Sequence, residues 1–364
     1  MLKVVVSAIF VLLFSFSLSG CFENGKAPGE KDQKELEDMD DVIYEALVNA
    51  ETEVDLSGFA SRVSSDEVFD TIEQVSNVNP EIMYYKKSEY RTDGKLTIKY
   101  FKPPKTIRAH QEEVQKQVNY IVQNIVSDNM SDFQKVQAVH DHIIKNARYC
   151  LNSSEVGIEQ APESYSPYGV LVNGEGVCTS YAGAMQLIME EVGINCLYVL
   201  GEADNEGHAW NMVELGGDYY HLDLTWNDPL FDEEIAGEGS IYGESDVQYK
   251  YFNVTDEEIG VSHSWERSEY PTCNATRYNY YHYNDKVVYS PQKFTEKIRD
   301  ALQSKERYLT VKVESYNSFE YDVQETIKSL NENEPGLIKG KLQFKFLPPE
   351  NKNIGVISIK FNYH

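Results

Sequence analysis

Three residues in this chain have the types and order to form a nucleophile, a base and an orienting acid: Cys178, His208 and Asp223. Cys178 lies in Gly174–Val192, a stretch that reads as a loop running into a helix. Gly174 and Gly176 break regular structure, and Ala182, Met185, Met189 and Val192 then recur at helical spacing. Leu187 and Ile188 add apolar surface on other sides, so the helix is expected to be buried on more than one face. The spacing places Cys178 in the first turn. There the positive end of the helix dipole favours a thiolate, and backbone N–H groups without helical partners could hold an oxyanion.

His208 and Asp223 belong to Gly207–Pro229, GHAWNMVELGGDYYHLDLTWNDP, in which two alternating runs flank Gly216-Gly217. A Gly-Gly pair between such runs predicts a two-residue hairpin turn, with Leu215 opposite Asp218. Counting outward sets His208 opposite Thr225 and makes Asp223 its diagonal neighbour on the same face. His221 shares that face and is the rival base, further toward the turn. His263 lies outside the hairpin and reads as structural. Tyr168, Trp210 and Trp226 are candidates for the cleft wall, although strand parity alone turns Trp226 away from Asp223 and into the core.

The segments GVCTSYAGAMQLIMEEVGI, GHAWNMVEL and YYHLDLTWNDP resemble the catalytic core of the transglutaminase-like superfamily. The resemblance covers roughly residues 131–270. It implies an α+β, papain-like core, with N-terminal helices packed on an antiparallel sheet and a Cys-His-Asp triad in this chain order. It implies Cys178 as nucleophile, His208 as base and Asp223 as orienting acid. It leaves the reaction open, since relatives include cross-linkers, peptidases and inactive members.

Other elements must position these residues. A helical stripe over Glu112–Ile125 (Val114, Val118, Ile121, Val122, Ile125) and a second helix opening at Ser131-Asp132 precede the nucleophile. Leu197–Leu200 reads as a short strand after the catalytic helix, and Tyr251–Val254 and Trp265 as strand material closing the core. Outside the core, Ile43–Phe101 and Ile298–Phe361 resemble each other: helix, strand, helix, a Pro break, then two strands. The organisation expected is a signal peptide over 1–20, a polar tether over 21–41, an N-terminal α+β module over 42–104, the catalytic domain over 105–275 and a similar C-terminal module over 276–364. Tyr278–Tyr283 and Val287–Tyr289 are expected to form a hairpin about Asn284-Asp285. The acidic, Gly-rich stretch Pro229–Tyr249 reads as a solvated surface loop, with a lid as the alternative.

The chain has 364 residues, and its formal net charge of −26 argues against nucleic acid as a partner. Lys3 and the apolar run Val4–Leu18 read as a targeting segment. It ends in Leu18-Ser19-Gly20-Cys21, which resembles a bacterial lipobox and implies lipid on Cys21 and an extracytoplasmic protein anchored through that lipid alone. Cys150, Cys196 and Cys273 read as small buried hydrophobes, with one oxidised pair as the alternative. No Cys or His spacing fits a structural zinc, and no cofactor or metal is expected. The expected partner is a peptide or protein of the envelope or extracellular space. The expected function is amide-bond hydrolysis through a thioester, with Gln–Lys cross-linking and non-catalytic binding as alternatives.

Overall fold

The computed structural model describes residues 30–228, 247–314, 316–349 and 355–364. These fall into two compact units, one of residues 30–109 with 265–272, the other of the described residues within 110–264 and 273–364.

The first unit contains helix α1 (Glu30–Val48), strand β1 (Glu53–Asp55), helix α2 (Ser65–Val78) and the hairpin β2 (Tyr85–Tyr90) and β3 (Lys95–Tyr100). Its sheet order is β1-β3-β2, antiparallel throughout. Ser64 and Glu67 form a reciprocal capping box that starts α2. Ile43, Leu47, Val68, Ile72, Leu96 and Ile98 make the core between helices and sheet. The tether expected over 21–41 is, from Glu30 on, the first part of α1. Glu, Lys, Gln and Leu are good helix formers, so a segment whose polarity reads as a tether extends a helix once Met39, Ile43 and Leu47 anchor its end.

The second unit is built on a five-stranded sheet. Before it come α3 (Pro104–Asn124), whose first residues lie in the other unit, α4 (Asp132–Asn146), a short parallel pair β4 (Arg148–Tyr149) and β5 (Glu175–Gly176), and α5 (Leu151–Val156). Ser131 and Gln134 cap α4 reciprocally, so the helix starts where the sequence placed it. Helix α6 (Cys178–Glu191) follows, then β6 (Cys196–Ala203), β7 (Glu206–Leu215), β8 (Asp218–Leu222), α7 (Leu224–Asn227), β9 (Phe252–Val254), α8 (Asp256–Ile259) and β10 (His263–Trp265). The sheet order is β10-β6-β7-β8-β9, antiparallel from β6 to β9. Gly216 and Gly217 have φ of +64° and +89°, which close the β7–β8 turn with Leu215 opposite Asp218.

A helix α9 (Tyr280–Tyr283) and strand β11 (Val287–Val288) replace the hairpin expected about Asn284-Asp285. The Asn279 side chain accepts from the Tyr281 N–H, which starts a helical turn, and β11 pairs parallel with a later strand instead of folding back. That strand is β12 (Tyr308–Val313), after α10 (Pro291–Ser304). α11 (Val323–Asn333), β13 (Leu342–Leu347) and β14 (Val356–Tyr363) complete the chain. Their sheet runs β11-β12-β14-β13. Setting β11 aside, the element order and strand order match those of α1–β3. These C-terminal residues belong to the same compact unit as the five-stranded sheet. Within that unit the Lys312 ammonium from β12 is buried against the Glu258 carboxylate of α8.

Candidate active site

Cys178 is the first residue of α6, and Val177 before it supplies no side-chain cap. The hydroxyls of the first turn are turned to the preceding loop instead. Thr179 Oγ1 donates to the Tyr165 carbonyl at 3.1 Å, and Ser180 Oγ donates to the Ser166 carbonyl at 2.6 Å while accepting from the Val170 N–H at 2.9 Å. Among the described residues no acceptor meets the backbone N–H groups of Cys178 and Thr179, so this end of the helix is open to an anionic oxygen. The helix is fixed to the sheet from below. Asn211 of β7, fully buried, donates to the Ala182 and Leu197 carbonyls at 3.0 and 3.3 Å.

His208 lies on β7 opposite Gly201 of β6. A Cβ on Gly201 would come within 2.2 Å of the Ser264 carbonyl, so glycine is what allows β10 to approach here. The His208 Nε2 is 2.8 Å from Asp223 Oδ2, and the imidazole is also within hydrogen-bonding reach of the Cys178 sulfur. A carboxylate only accepts, so Nε2 carries the proton and Nδ1 is left for the thiol. The imidazole therefore stands between sulfur and carboxylate. Burial alone would lower the His208 pKa, but the Asp223 carboxylate and Cys178 raise it to about 10. Asp223 is fully buried; burial would raise its pKa, but His208 and His263 together hold it well below the usual carboxylate range.

Asp223 reaches His208 by a route that strand counting does not describe. β8 ends at Leu222, and Asp223 caps the single turn α7, with Oδ1 accepting from the Trp226 N–H at 3.1 Å. The same turn corrects the expected direction of Trp226. Its ring lies 6.2 Å from His208 and 4.7 Å from His263, beside the site, because helical geometry replaces alternation after Leu222. Trp210 stacks at 6.0 Å from His208 but is 1% exposed, so it backs the imidazole from within the core. Tyr168 stacks on His110 at 3.9 Å and its hydroxyl bonds Glu113. The tyrosines in electrostatic contact with Cys178 are Tyr149 and Tyr165, and nothing in their spacing from Cys178 marked them.

Two histidines were assigned less important places in the sequence. His263 donates from Nε2 to Asp223 Oδ2 at 3.0 Å, on the same oxygen as His208. Its only local signal is a place beside Trp265 in strand material. His221, the rival base, faces elsewhere: its Nδ1 accepts from Trp210 Nε1 at 2.9 Å, and its Nε2 donates to Asp256 Oδ1 at 2.9 Å. Cys273 is fully buried against the same Asp256. His208, Asp223 and His263 form one close group of potential metal donors, and His221, Asp256 and Cys273 form another. In both, protons of neighbouring rings occupy the carboxylate, so the groups are complete as hydrogen-bond networks. The four cysteines among the described residues are all thiols. Cys21 and the acidic stretch over 229–246 lie outside the described residues.

Residues 119–224 match the model of the transglutaminase-like superfamily. Among curated proteins, the chain is 25% identical over 148 residues to the mouse (Mus musculus) kyphoscoliosis peptidase, covering 37% of this chain and 22% of that protein. It is 23% identical over 150 residues to the human (Homo sapiens) kyphoscoliosis peptidase, covering 38% of this chain and 22% of that protein. The matched stretch thus spans about a fifth of these relatives' length. A solved TGase structure aligns over 50% of this chain and 51% of its own, with 11% identity and a TM-score of 0.30. The matched segment contains the Cys178 helix, the His208 strand and Asp223, and the chain carries a transglutaminase-like superfamily core.

Proposed function

We propose that this protein is a cysteine enzyme that breaks amide bonds through a thioester, acting chiefly as a peptidase or hydrolase. The observation that carries this reading is the seriation of Cys178, His208 and Asp223, with the imidazole between the sulfur at an open helix start and a buried carboxylate. The His208–Asp223 pair keeps an imidazolium beside the sulfur, and the thiolate attacks the amide carbonyl. The carbonyl oxygen becomes an oxyanion facing the Cys178 and Thr179 N–H groups. The tetrahedral adduct collapses, the C–N bond breaks, and His208 gives its Nδ1 proton to the leaving amine. Water then attacks the thioester; His208 takes its proton, and the acid and the starting ion pair are released. The name of the mammalian relatives supports hydrolysis over cross-linking.

The proposed setting is extracytoplasmic, with lipid on Cys21 as the anchor and envelope or extracellular peptides as substrates. Among the described residues, no helix is long and apolar enough to cross a membrane. Incubation with a Gln-containing protein and a fluorescent primary amine tests the reaction. Fragmentation lost in Cys178→Ala supports the peptidase. Amine incorporation lost in that variant would replace it with a cross-linker. Neither product, with Cys178 inert to iodoacetamide, would leave a binding protein. Metabolic labelling with a fatty-acid probe, lost in Cys21→Ser, tests the anchor.

A further inference from the structure

We propose that His263 is a positioning residue of the same centre, a second imidazole that holds the Asp223 carboxylate in place for His208. This rests on the reading of Cys178, His208 and Asp223 as the catalytic group. Three donors converge on that carboxylate: His208 Nε2 and His263 Nε2 on Oδ2 at 2.8 and 3.0 Å, and the Trp226 N–H on Oδ1 at 3.1 Å. Asp223 and His263 are 0% and 3% exposed, so no solvent substitutes for a missing donor.

The tautomer of His263 follows from its neighbours. The ionised carboxylate only accepts, so His263 Nε2 carries the proton. Its Nδ1 lies 2.8 Å from Ser262 Oγ, a hydroxyl that also lies 3.5 Å from the Ile259 carbonyl and 3.4 Å from Tyr251 Oη; with Nε2 protonated, the neutral ring takes the Ser262 proton at Nδ1 in preference to the longer contact to Ile259. The network therefore runs from Tyr251 through Ser262, His263, Asp223 and His208 to Cys178. β10 brings His263 to this position because Gly201 lets it close on β6.

The arrangement has a consequence during turnover. When His208 gives its Nδ1 proton to the leaving amine, it becomes neutral and Asp223 loses its counter-ion. The Nε2–H of His263 remains on Oδ2 and keeps the carboxylate ionised and oriented until His208 is charged again. Among the described residues, the titratable groups facing Asp223 are His208 of β7, His263 of β10 and His140 of α4, and the Cys178 thiol meets His208. Of these, His263 lies 3.0 Å from Asp223 Oδ2 without belonging to the His208–Cys178 couple.

The test compares two substitutions by the pH profile of iodoacetamide alkylation at Cys178, with folding verified by thermal melting. His263→Gln retains an N–H donor; His263→Phe fills the space without one. The expected result is that Phe slows alkylation at least tenfold and moves its acid limb to higher pH, while Gln retains most of the rate and the wild-type limb. Equal losses in both with an unmoved limb, or a wild-type profile in the Phe variant, would overturn the proposal. A measurement on the native protein keeps it testable if the variants do not fold. Ring-nitrogen NMR of histidine-labelled protein is expected to show His263 protonated at Nε2 and not Nδ1; the reverse tautomer overturns it. If wild-type Cys178 resists alkylation, the enzyme reading fails, and the NMR result decides His263 separately.

Discussion

The core holds two groups of the same three residue types, one at Cys178, His208 and Asp223 and the other at Cys273, His221 and Asp256. They differ in which group stands in the middle. At the first, the imidazole separates thiol from carboxylate, with Nδ1 left for sulfur. At the second, Asp256 lies between, bonded to His221 Nε2 and set against the Cys273 thiol, while His221 Nδ1 is taken by Trp210. A carboxylate beside a buried thiol opposes the thiolate, and burial followed by Asp256 pushes the Cys273 thiol far up. The same side chains thus set an imidazole beside the thiol in one order and a carboxylate beside it in the other. Trp210 connects the two: its ring backs His208 and its N–H is held by His221.

The largest expected difference is at the sulfurs. Cys178→Ala should lower thioester-dependent turnover by at least ~10⁴-fold, as expected when the nucleophile of such a triad is removed. Cys273→Ser should remain within about twofold of wild type in the same peptide-fragmentation assay, since it removes an atom outside the chemistry. Mass spectrometry after brief native alkylation should find label on Cys178 and none on Cys273; label on both would erase the distinction drawn here.

The acids come next. Asp223→Asn releases the His208 tautomer and should reduce kcat by about 10³–10⁴-fold. Asp256→Asn should leave kcat within about tenfold of wild type, since it acts only through His221 and Trp210, while lowering stability by about 1–3 kcal/mol. Urea unfolding and steady-state kinetics on the two variants separate these effects, and equal kinetic losses would mean that the second group belongs to the chemistry.

Stability against pH should be dominated by the first group. The His208 value is raised from 6.5 to about 10, so its contribution is complete below about pH 6.5 and is lost as pH rises through about 10. The Asp223 value is lowered from 3.8, so its contribution is present above about pH 3.8 and is lost as pH falls through the lower folded value. Thermal midpoints measured across this range should show a plateau between those limits, and the alkaline decline should flatten in His208→Ala. The smallest effect is expected at His221→Gln, which leaves Trp210 with a weaker acceptor and should lower stability by about 1 kcal/mol with turnover near wild type. A large kinetic loss there would show that the Trp210 ring position is more demanding than its burial suggests.

Much of this site was legible because local rules govern it. Gly216-Gly217 set the hairpin register, and the break at Gly176 set Cys178 at the head of a helix. Asp223 was placed beside His208 by extending a strand that in fact ends at Leu222, so proximity was expected through the wrong geometry. The one-turn helix that follows reversed the expected direction of Trp226. The end of helix α1 was legible from its apolar residues, but its first turns from Glu30 were concealed by their polarity, since a solvated helix and a solvated tether share composition.

The sequence by itself determined the three candidate groups, the helix start that bears the thiol, the turn that fixes the histidine strand and the matching element order of the two terminal segments. Each follows from contacts close in the chain or from a two- or 3.6-residue period. The tertiary structure alone decided that His263, forty positions beyond Asp223, shares its carboxylate oxygen, and that His221 serves Trp210. Hydrogen bonds between distant strands depend on how β10 and α8 pack, and no local period encodes that packing.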